Sequence, residues 1–168
     1  MAKYRKLGRK AQDRMALLRG QVTSLIANGK IVTTDARAKE VRKIAEHLIA
    51  LGVKEKDNYE TVKVQAKVAK KDKDGKRVKE VVDGKKVTVY ETVEKEIKKD
   101  MPSRLHARRQ MLKVLYPVTV EGEKVDLTAK IFDEYGTKYA GRNGGYTRIV
   151  KIGQRKGDAA MEVLLELI

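Results

Sequence analysis

The chain has no cysteine and no tryptophan, one phenylalanine and two prolines. Without cysteine there is no disulfide, no thiolate ligand for zinc and no thiol nucleophile. His47 and His106 are the only imidazoles, and no metal-ligand spacing or nucleophile motif accompanies them. No stretch approaches the roughly 20 apolar residues that a membrane helix needs, and no apolar run follows the basic start as in a signal peptide. The expectation is a cytoplasmic protein with no membrane insertion. With aromatics scarce, the core must be small and aliphatic, built on Val, Leu, Ile and Ala.

Positive charge is what the chain has in excess. Its 168 residues carry 39 Lys and Arg against 23 Asp and Glu, a net charge of +16. Such an excess repels itself in isolation and calls for a polyanion. Nucleic acid fits this best. A membrane surface fits less well, because the apolar helix faces are needed for packing and Trp/Phe anchors are missing.

Residues 1–12 read as a flexible basic arm. Lys3, Arg5, Lys6, Arg9 and Lys10 stand there beside Tyr4, with too little apolar content for independent folding. A helix is predicted from Asp13 to Asn28 on Met15, Leu18, Val22, Leu25 and Ile26, with Asn28-Gly29 as its stop. Arg14 and Arg19 lie on it. Lys30 to Thr34 reads as a short strand. The clearest helix follows, with Ala38, Val41, Ile44, Ala45, Leu48 and Ile49 inward and Gly52 as its expected end. Arg37, Lys39, Arg42 and Lys43 fall off that stripe.

The character then changes. Val62, Val64, Ala66 and Val68 alternate with polar residues, Val87, Val89 and Tyr90 mark a second β-rich run, and Asp74-Gly75 and Asp83-Gly84 are hairpin signals. Residues 57–100 are therefore expected to be an inserted three-stranded β-meander. The segment holds 13 bases and 10 acids, +3, whereas its flanks carry +9 and +4. That near balance favours a protein neighbour or solvent over RNA for the insertion.

A third helix, capped by Ser103 after Pro102 and stopped by Pro117, carries Arg104, His106, Arg108 and Arg109. Arg104/Arg108 and Arg109/Lys113 are like-charge i,i+4 pairs, each destabilising by a few tenths of a kcal/mol, about 0.3, unless an anion is near. Val118 to Lys124 reads as a loop. Asp126 is placed to cap a fourth helix that Gly136 should stop. Two strands, Tyr146 to Ile152 and Ala160 to Ile168, close the chain. Pairing Lys151 with Glu162 and Ile149 with Leu164 is favourable, but it puts Arg148 on the apolar face. The fold class is thus α+β in two layers: helices on a small mixed or antiparallel sheet, in the order α-β-α-α-α-β-β, with residues 13–56 and 101–168 as the core.

The stretch GRNGGYTRIVKIGQRKGD is the densest candidate site. Its glycines do not follow GxGxxG, precede a strand rather than a helix, and lack a Gly-Lys-Ser/Thr ending, so a nucleotide loop is rejected. Backbone recognition of nucleic acid is left. Gly144 and Gly145 would let the main chain approach phosphate. Arg142, Arg148, Arg155 and Lys156 would neutralise it. Asn143 and Tyr146 would bond to or stack on an exposed base. No cofactor, small-molecule substrate or enzymatic activity is expected.

Several blocks resemble a known family. The opening Arg5-Lys6-x-Gly8-Arg9, the Ile-x-Thr-Thr strand, the Ala-Lys-Glu-x-Arg helix, HARRQ at His106 to Gln110, and GGYTRIVKIGQRKGDAA are similar to the bacterial large-subunit ribosomal protein seventeen family. The resemblance covers residues 3–52 and 103–168. Lys3-Tyr4-Arg5 stands where many members have Arg-His-Arg, and about fifty residues stand where the family usually has a short linker. The resemblance implies a structural role: binding large-subunit rRNA near the exit of the peptide tunnel, with neighbouring large-subunit ribosomal proteins as partners. An architectural DNA-binding protein and an RNA-modifying enzyme are the alternatives from other classes.

Overall fold

A computed structural model describes residues 4–72, 75–82, 85–120 and 122–168. It divides into two compact units, Met1–Asn58 with Pro102–Ile168, and Tyr59–Met101. The first combines helices with small antiparallel sheets and the second is made of strands, so that together they form an α+β protein.

In the first unit, α1 (Ala11–Asn28) buries Leu18, Val22, Leu25 and Ile26. Gly29 ends it with φ 77°, its amide donating to the Leu25 carbonyl at 2.8 Å, a left-handed stop of the kind the sequence signals. The neighbouring orphan carbonyls are also satisfied. Ile26 accepts from the Tyr135 hydroxyl at 2.8 Å, and Ala27 accepts from Lys130 Nζ at 2.7 Å.

Strand β1 (Lys30–Thr34) leads into α2 (Asp35–Glu55), which buries Ala38, Val41, Ala45, Leu48 and Ile49. Gly52 does not end this helix. It lies buried inside it, where a Cβ would come within 2.5 Å of Ile131 Cγ2 and 3.2 Å of the Ile131 carbonyl oxygen. The glycine is there for close approach, not for a stop.

Helix α3 (Pro102–Val114) starts on a proline, whose fixed φ and missing N–H suit a first turn. The Ser103 hydroxyl donates to Glu55 Oε2 at 2.8 Å, and the Asn58 amide donates to the same oxygen at 3.0 Å and to Ser103 Oγ. The hydrogen bonds from Asn58 and Ser103 hold the Glu55 carboxyl below its ordinary range. At the far end of α3, Arg19 Nε donates to the Val114 carbonyl at 3.0 Å and the Tyr116 amide donates to Thr23 Oγ1 at 3.1 Å.

The segment expected as a loop after α3 is a small hairpin, β6 (Val118–Val120) with β7 (Glu123–Val125). Asp126 then caps as expected. Its Oδ1 accepts the amides of Thr128 at 2.9 Å and Ala129 at 3.2 Å. Burial would raise its carboxyl, but the Thr128 hydroxyl and these amides outweigh that and lower it. The helical rod that follows has three parts: α4 (Leu127–Lys130), a π-helical turn (Ile131–Tyr135) and α5 (Gly136–Lys138). Gly136 does not stop it. Gly136 faces Gly52, whose carbonyl oxygen would lie 3.4 Å from an added Cβ. The wider π turn aims Ile131, Phe132 and Tyr135 at the core together.

Strands β8 (Thr147–Gln154) and β9 (Met161–Leu167) join β1 in an antiparallel sheet of order β1-β9-β8. The expected register is off by one residue. Ile149 opposes Leu165, Val150 opposes Leu164 and Arg148 opposes Glu166, with a shift between Lys151 and Gly153. One residue of slip exchanges the two faces of a strand, so the predicted conflict disappears. Arg148 points outward, 3.6 Å from Glu166, while Ile31, Leu165 and Ile149 form the inner row.

The second unit corrects the expected meander. Its first strand, β2 (Tyr59–Ala69), pairs antiparallel with its last, β5 (Tyr90–Asp100), and β3 (Lys79–Val82) pairs with β4 (Lys85–Thr88). The result is a long two-stranded ribbon. On one face Val62 opposes Ile97 and Ala66 opposes Val93; on the other Lys63 opposes Glu96, 4.0 Å apart as an ion pair. Of the hairpin signals, Asp74, Asp83 and Gly84 lie outside the described residues, and Gly75 has φ 74°.

Candidate nucleic-acid interface

Three separated segments meet along the outer face of α2. Its positions 39, 42, 43, 46, 50, 53 and 54 recur at helical spacing, a stripe about 22 Å long at 1.5 Å per residue. One hollow of about 420 Å³ is lined by Arg5 from the N-terminal segment with Lys39, Arg42, Lys43 and Glu46. A second, of about 500 Å³, is lined by Glu46, Ala50, Val53 and Lys54 with Arg142, Asn143, Gly144 and Tyr146. Glu46 belongs to both, so the hollows adjoin. Its Oε1 accepts Arg42 Nε at 3.1 Å and the Thr147 hydroxyl at 2.7 Å, which pins α2 to the start of β8.

The N-terminal segment is tied down at three points. Arg5 Nη1 bonds to Glu40 Oε1 at 2.8 Å, Leu7 packs against the core, and the Arg14 guanidinium sits 4.2 Å from the centre of the Tyr4 ring. Lys6, Arg9 and Lys10 are exposed beside it, and Lys3 lies outside the described residues.

The glycine loop is shaped by its own side chains. Gly141, Gly144 and Gly145 have φ of 79°, 101° and 63°. An added Cβ at Gly141 or Gly144 would meet nothing within 4 Å; left-handed backbone, rather than lack of room, requires glycine there. Arg142 folds over the loop, Nη2 donating to the Gly145 carbonyl at 2.8 Å and Nε to that of Gly144 at 3.2 Å. Asn143 is left exposed at the tip.

Several residues chosen from the sequence turn out to face inward. Tyr146 is 3% exposed, its ring 5.1 Å from Tyr139 and its hydroxyl donating to the Arg142 carbonyl at 2.9 Å. It anchors the loop and presents no ring for base stacking. Arg104 is 2% exposed, its guanidinium 4.4 Å from the centre of the Phe132 ring. Arg108 is half-buried, donating to Thr128 Oγ1 at 2.7 Å near Asp126. These two arginines therefore bind α3 to the helical rod. Arg19 closes the end of α3, 4.3 Å from the Tyr116 ring. Arg155 closes the β8–β9 turn in a fork on Asp158 at 2.9 and 2.7 Å, with Glu162 at 3.5 Å. That hydrogen bonding pulls the Asp158 carboxyl down to about 2 and raises the Arg155 guanidinium. Arg37 is half-buried. His106, bonded to Gln110 at 2.9 Å, and Arg109 and Lys156 are exposed, outside the two hollows.

Lys39, Arg42, Lys43 and Lys54 were the cations that the sequence reading did not choose. Their spacing off the apolar stripe, in phase with one another, is the signal that could have found them. Among the described residues no cluster of His, Asp and Glu could hold a metal ion, and no helix is long and apolar enough to cross a membrane.

A basic α+β protein that brings cations from three chain segments along one helix face presents a surface suited to a polyanion, and the comparisons with known proteins narrow that class. The family described as ribosomal protein L17 matches residues 17–168, the β ribbon included. The large ribosomal subunit protein bL17 of Lachnospira eligens is 75% identical over 178 residues, that of Acetivibrio thermocellus 48% over 174, and that of Clostridium botulinum 38% over 168; all of each chain is covered in every case. The chain belongs to the ribosomal protein L17 family. That is a family of structural proteins, which agrees with the expectation that the chain is not an enzyme.

Proposed function

We propose that the chain is a structural constituent of the large ribosomal subunit that binds rRNA with the outer face of α2. The convergence of Arg5, the α2 stripe and the Arg142–Gly144 loop on two adjoining hollows carries this reading. The names of the relatives point the same way. Folded RNA brings phosphates of distant segments together at a repulsive cost, and a cationic face fed by three chain segments lowers it. Around that face Lys6, Arg9, Lys10, Asn143 and Arg142 are the direct contacts, with Lys39, Arg42, Lys43 and Lys54 added to them. Tyr146, Arg104, Arg108, Arg19 and Arg155 act by holding the elements in place.

The arm is partly organised before it meets RNA. Ordering free backbone costs about 1–2 kcal/mol per residue, so its three ties lower the cost of docking. The supporting globule is a two-layer α+β core in the order α-β-α-α-α-β-β, with β6–β7 and the ribbon added. On this reading it works in the cytoplasm beside other large-subunit proteins, and the family resemblance supports a position near the exit of the peptide tunnel.

Deleting Ala2 to Lys10 tests the reading. The truncated protein should fold, shown by an unchanged far-ultraviolet spectrum, yet sediment poorly with the large subunit at moderate salt. Binding of the full chain to rRNA should weaken steeply with salt, the eight cations of this face contributing a log–log slope of about −6 at about −0.7 each. Undiminished sedimentation of the truncated form would remove the arm from the interface.

A further inference from the structure

The charge of the ribbon is distributed unevenly along its length. Its stem, residues 59–69 and 90–100, holds five Lys against five Asp and Glu, whereas residues 70–89 hold eight Lys and Arg against four acids. The stem pairs its charges across the strands, as at Lys63 and Glu96 and at Glu60 and Lys99. The near balance of the whole insertion therefore conceals a neutral shaft and a cationic tip.

At the tip the ladder forks. The Lys70 amide donates to the Val89 carbonyl at 2.9 Å, the Val78 amide to Lys70 at 2.9 Å, and the Val89 amide to Val78 at 3.1 Å, so three chain segments meet there. Beyond the fork Lys71 stands directly opposite Arg77. Like charges opposed across strands destabilise a ladder, and a neighbouring anion removes the penalty. Lys70 and Lys76, next in the chain to this pair, are exposed, as is Lys86 on the β3–β4 branch, and Tyr90, at the head of the stem, is 61% exposed. Cations set beside an open aromatic ring suit a phosphate chain carrying unstacked bases. Eleven paired positions hold the fork about 36 Å from the base of the stem, at about 3.3 Å per residue.

We infer that the forked tip is a second RNA contact, separate from the face of α2, that grips a single-stranded or looped segment of rRNA through phosphates and one stacked base. It rests on the rRNA reading above.

The test compares the full chain with a tip variant, Lys71→Gln/Lys76→Gln/Arg77→Gln/Lys86→Gln, and a stem control, Lys63→Gln/Glu96→Gln. The probe is deproteinised large-subunit rRNA between about 50 and 200 mM salt. The tip variant should keep its circular dichroism spectrum and bind at least tenfold more weakly at low salt. Its salt slope should be shallower by about 3, for four cations at about 0.7–0.9 each; the stem control should match the parent. An unchanged slope in the tip variant, with the parent binding normally, would overturn the inference alone. A parent chain that does not bind rRNA would overturn the rRNA reading as well. A photoreactive residue at Thr88 in assembled subunits should crosslink to RNA, and a crosslink to a protein neighbour instead would also overturn it.

Discussion

Gly52 shows how much one missing methyl group can hold. Alanine would raise helix propensity by about 1 kcal/mol, but its Cβ would meet Ile131 Cγ2 at 2.5 Å and the Ile131 carbonyl at 3.2 Å. Overpacking of this kind costs about 1–3 kcal/mol. Gly52→Ala should therefore lose about 1 kcal/mol net, seen in urea unfolding as a lower midpoint with the same m-value. Tyr135 supplies a second test at this scale. Burial, aided by the nearby Glu134 charge, pushes its phenol up to about 12, against about 10 in an unfolded chain. Its folded pKa is raised, so its contribution to stability is complete below pH 10 and is lost as pH rises toward about 12. Absorbance at 295 nm should show a phenol titrating near pH 12 that Tyr135→Phe removes.

Among the elements, α1, β1 and the apolar stripe of α2 were legible because their periodicity and the Asn28-Gly29 stop agree. Gly52 and Gly136 were misread as stops because a glycine chosen for close approach looks the same in one sequence as a glycine chosen for positive φ; only the crossing at Ile131 distinguishes them. The register of β8 on β9 was missed because a shift between Lys151 and Gly153 leaves no composition mark. The full length of β5 hid in a Glu/Lys-rich run, Glu91 to Lys99, that is readable as helix or linker by composition alone. At the site, Arg142 and Asn143 lie at the surface as the sequence suggests, while Arg104 and Tyr146 are buried: a side chain packed on an internal ring and one open to solvent are written with the same letter. Glu55, Asn58 and Ser103 join the two chain ends that flank the ribbon. Replacing residues 59–101 by a short Gly/Ser linker should accordingly leave the first unit folded. Its thermal midpoint should stay within a few degrees, and a drop of more than about 8 °C, about twice the shift that 1 kcal/mol gives in a domain of this size, would show that the ribbon supports it.

The whole molecule divides its charge into three uses. Some cations are engaged by the fold itself, on Phe132, at a helix end or, at the surface, on Asp158. Others line α2, held near their places by Glu40 and Glu46. A third group stands at the far end of the ribbon. A net charge of +16 therefore overstates the number of phosphates the chain can neutralise, and salt titration should report fewer contacts than the count of Lys and Arg suggests.

The knot of side chains at Glu55, Asn58 and Ser103 has an architectural corollary. Because it fastens both feet of the ribbon within the globule, the stretch between them can be lengthened or shortened at its remote end without disturbing a helix, the entropic toll rising only logarithmically with the number of residues added. The length of the ribbon thus becomes an adjustable dimension, and residues inserted at its turn should leave the clasp of Glu55, Asn58 and Ser103 closed.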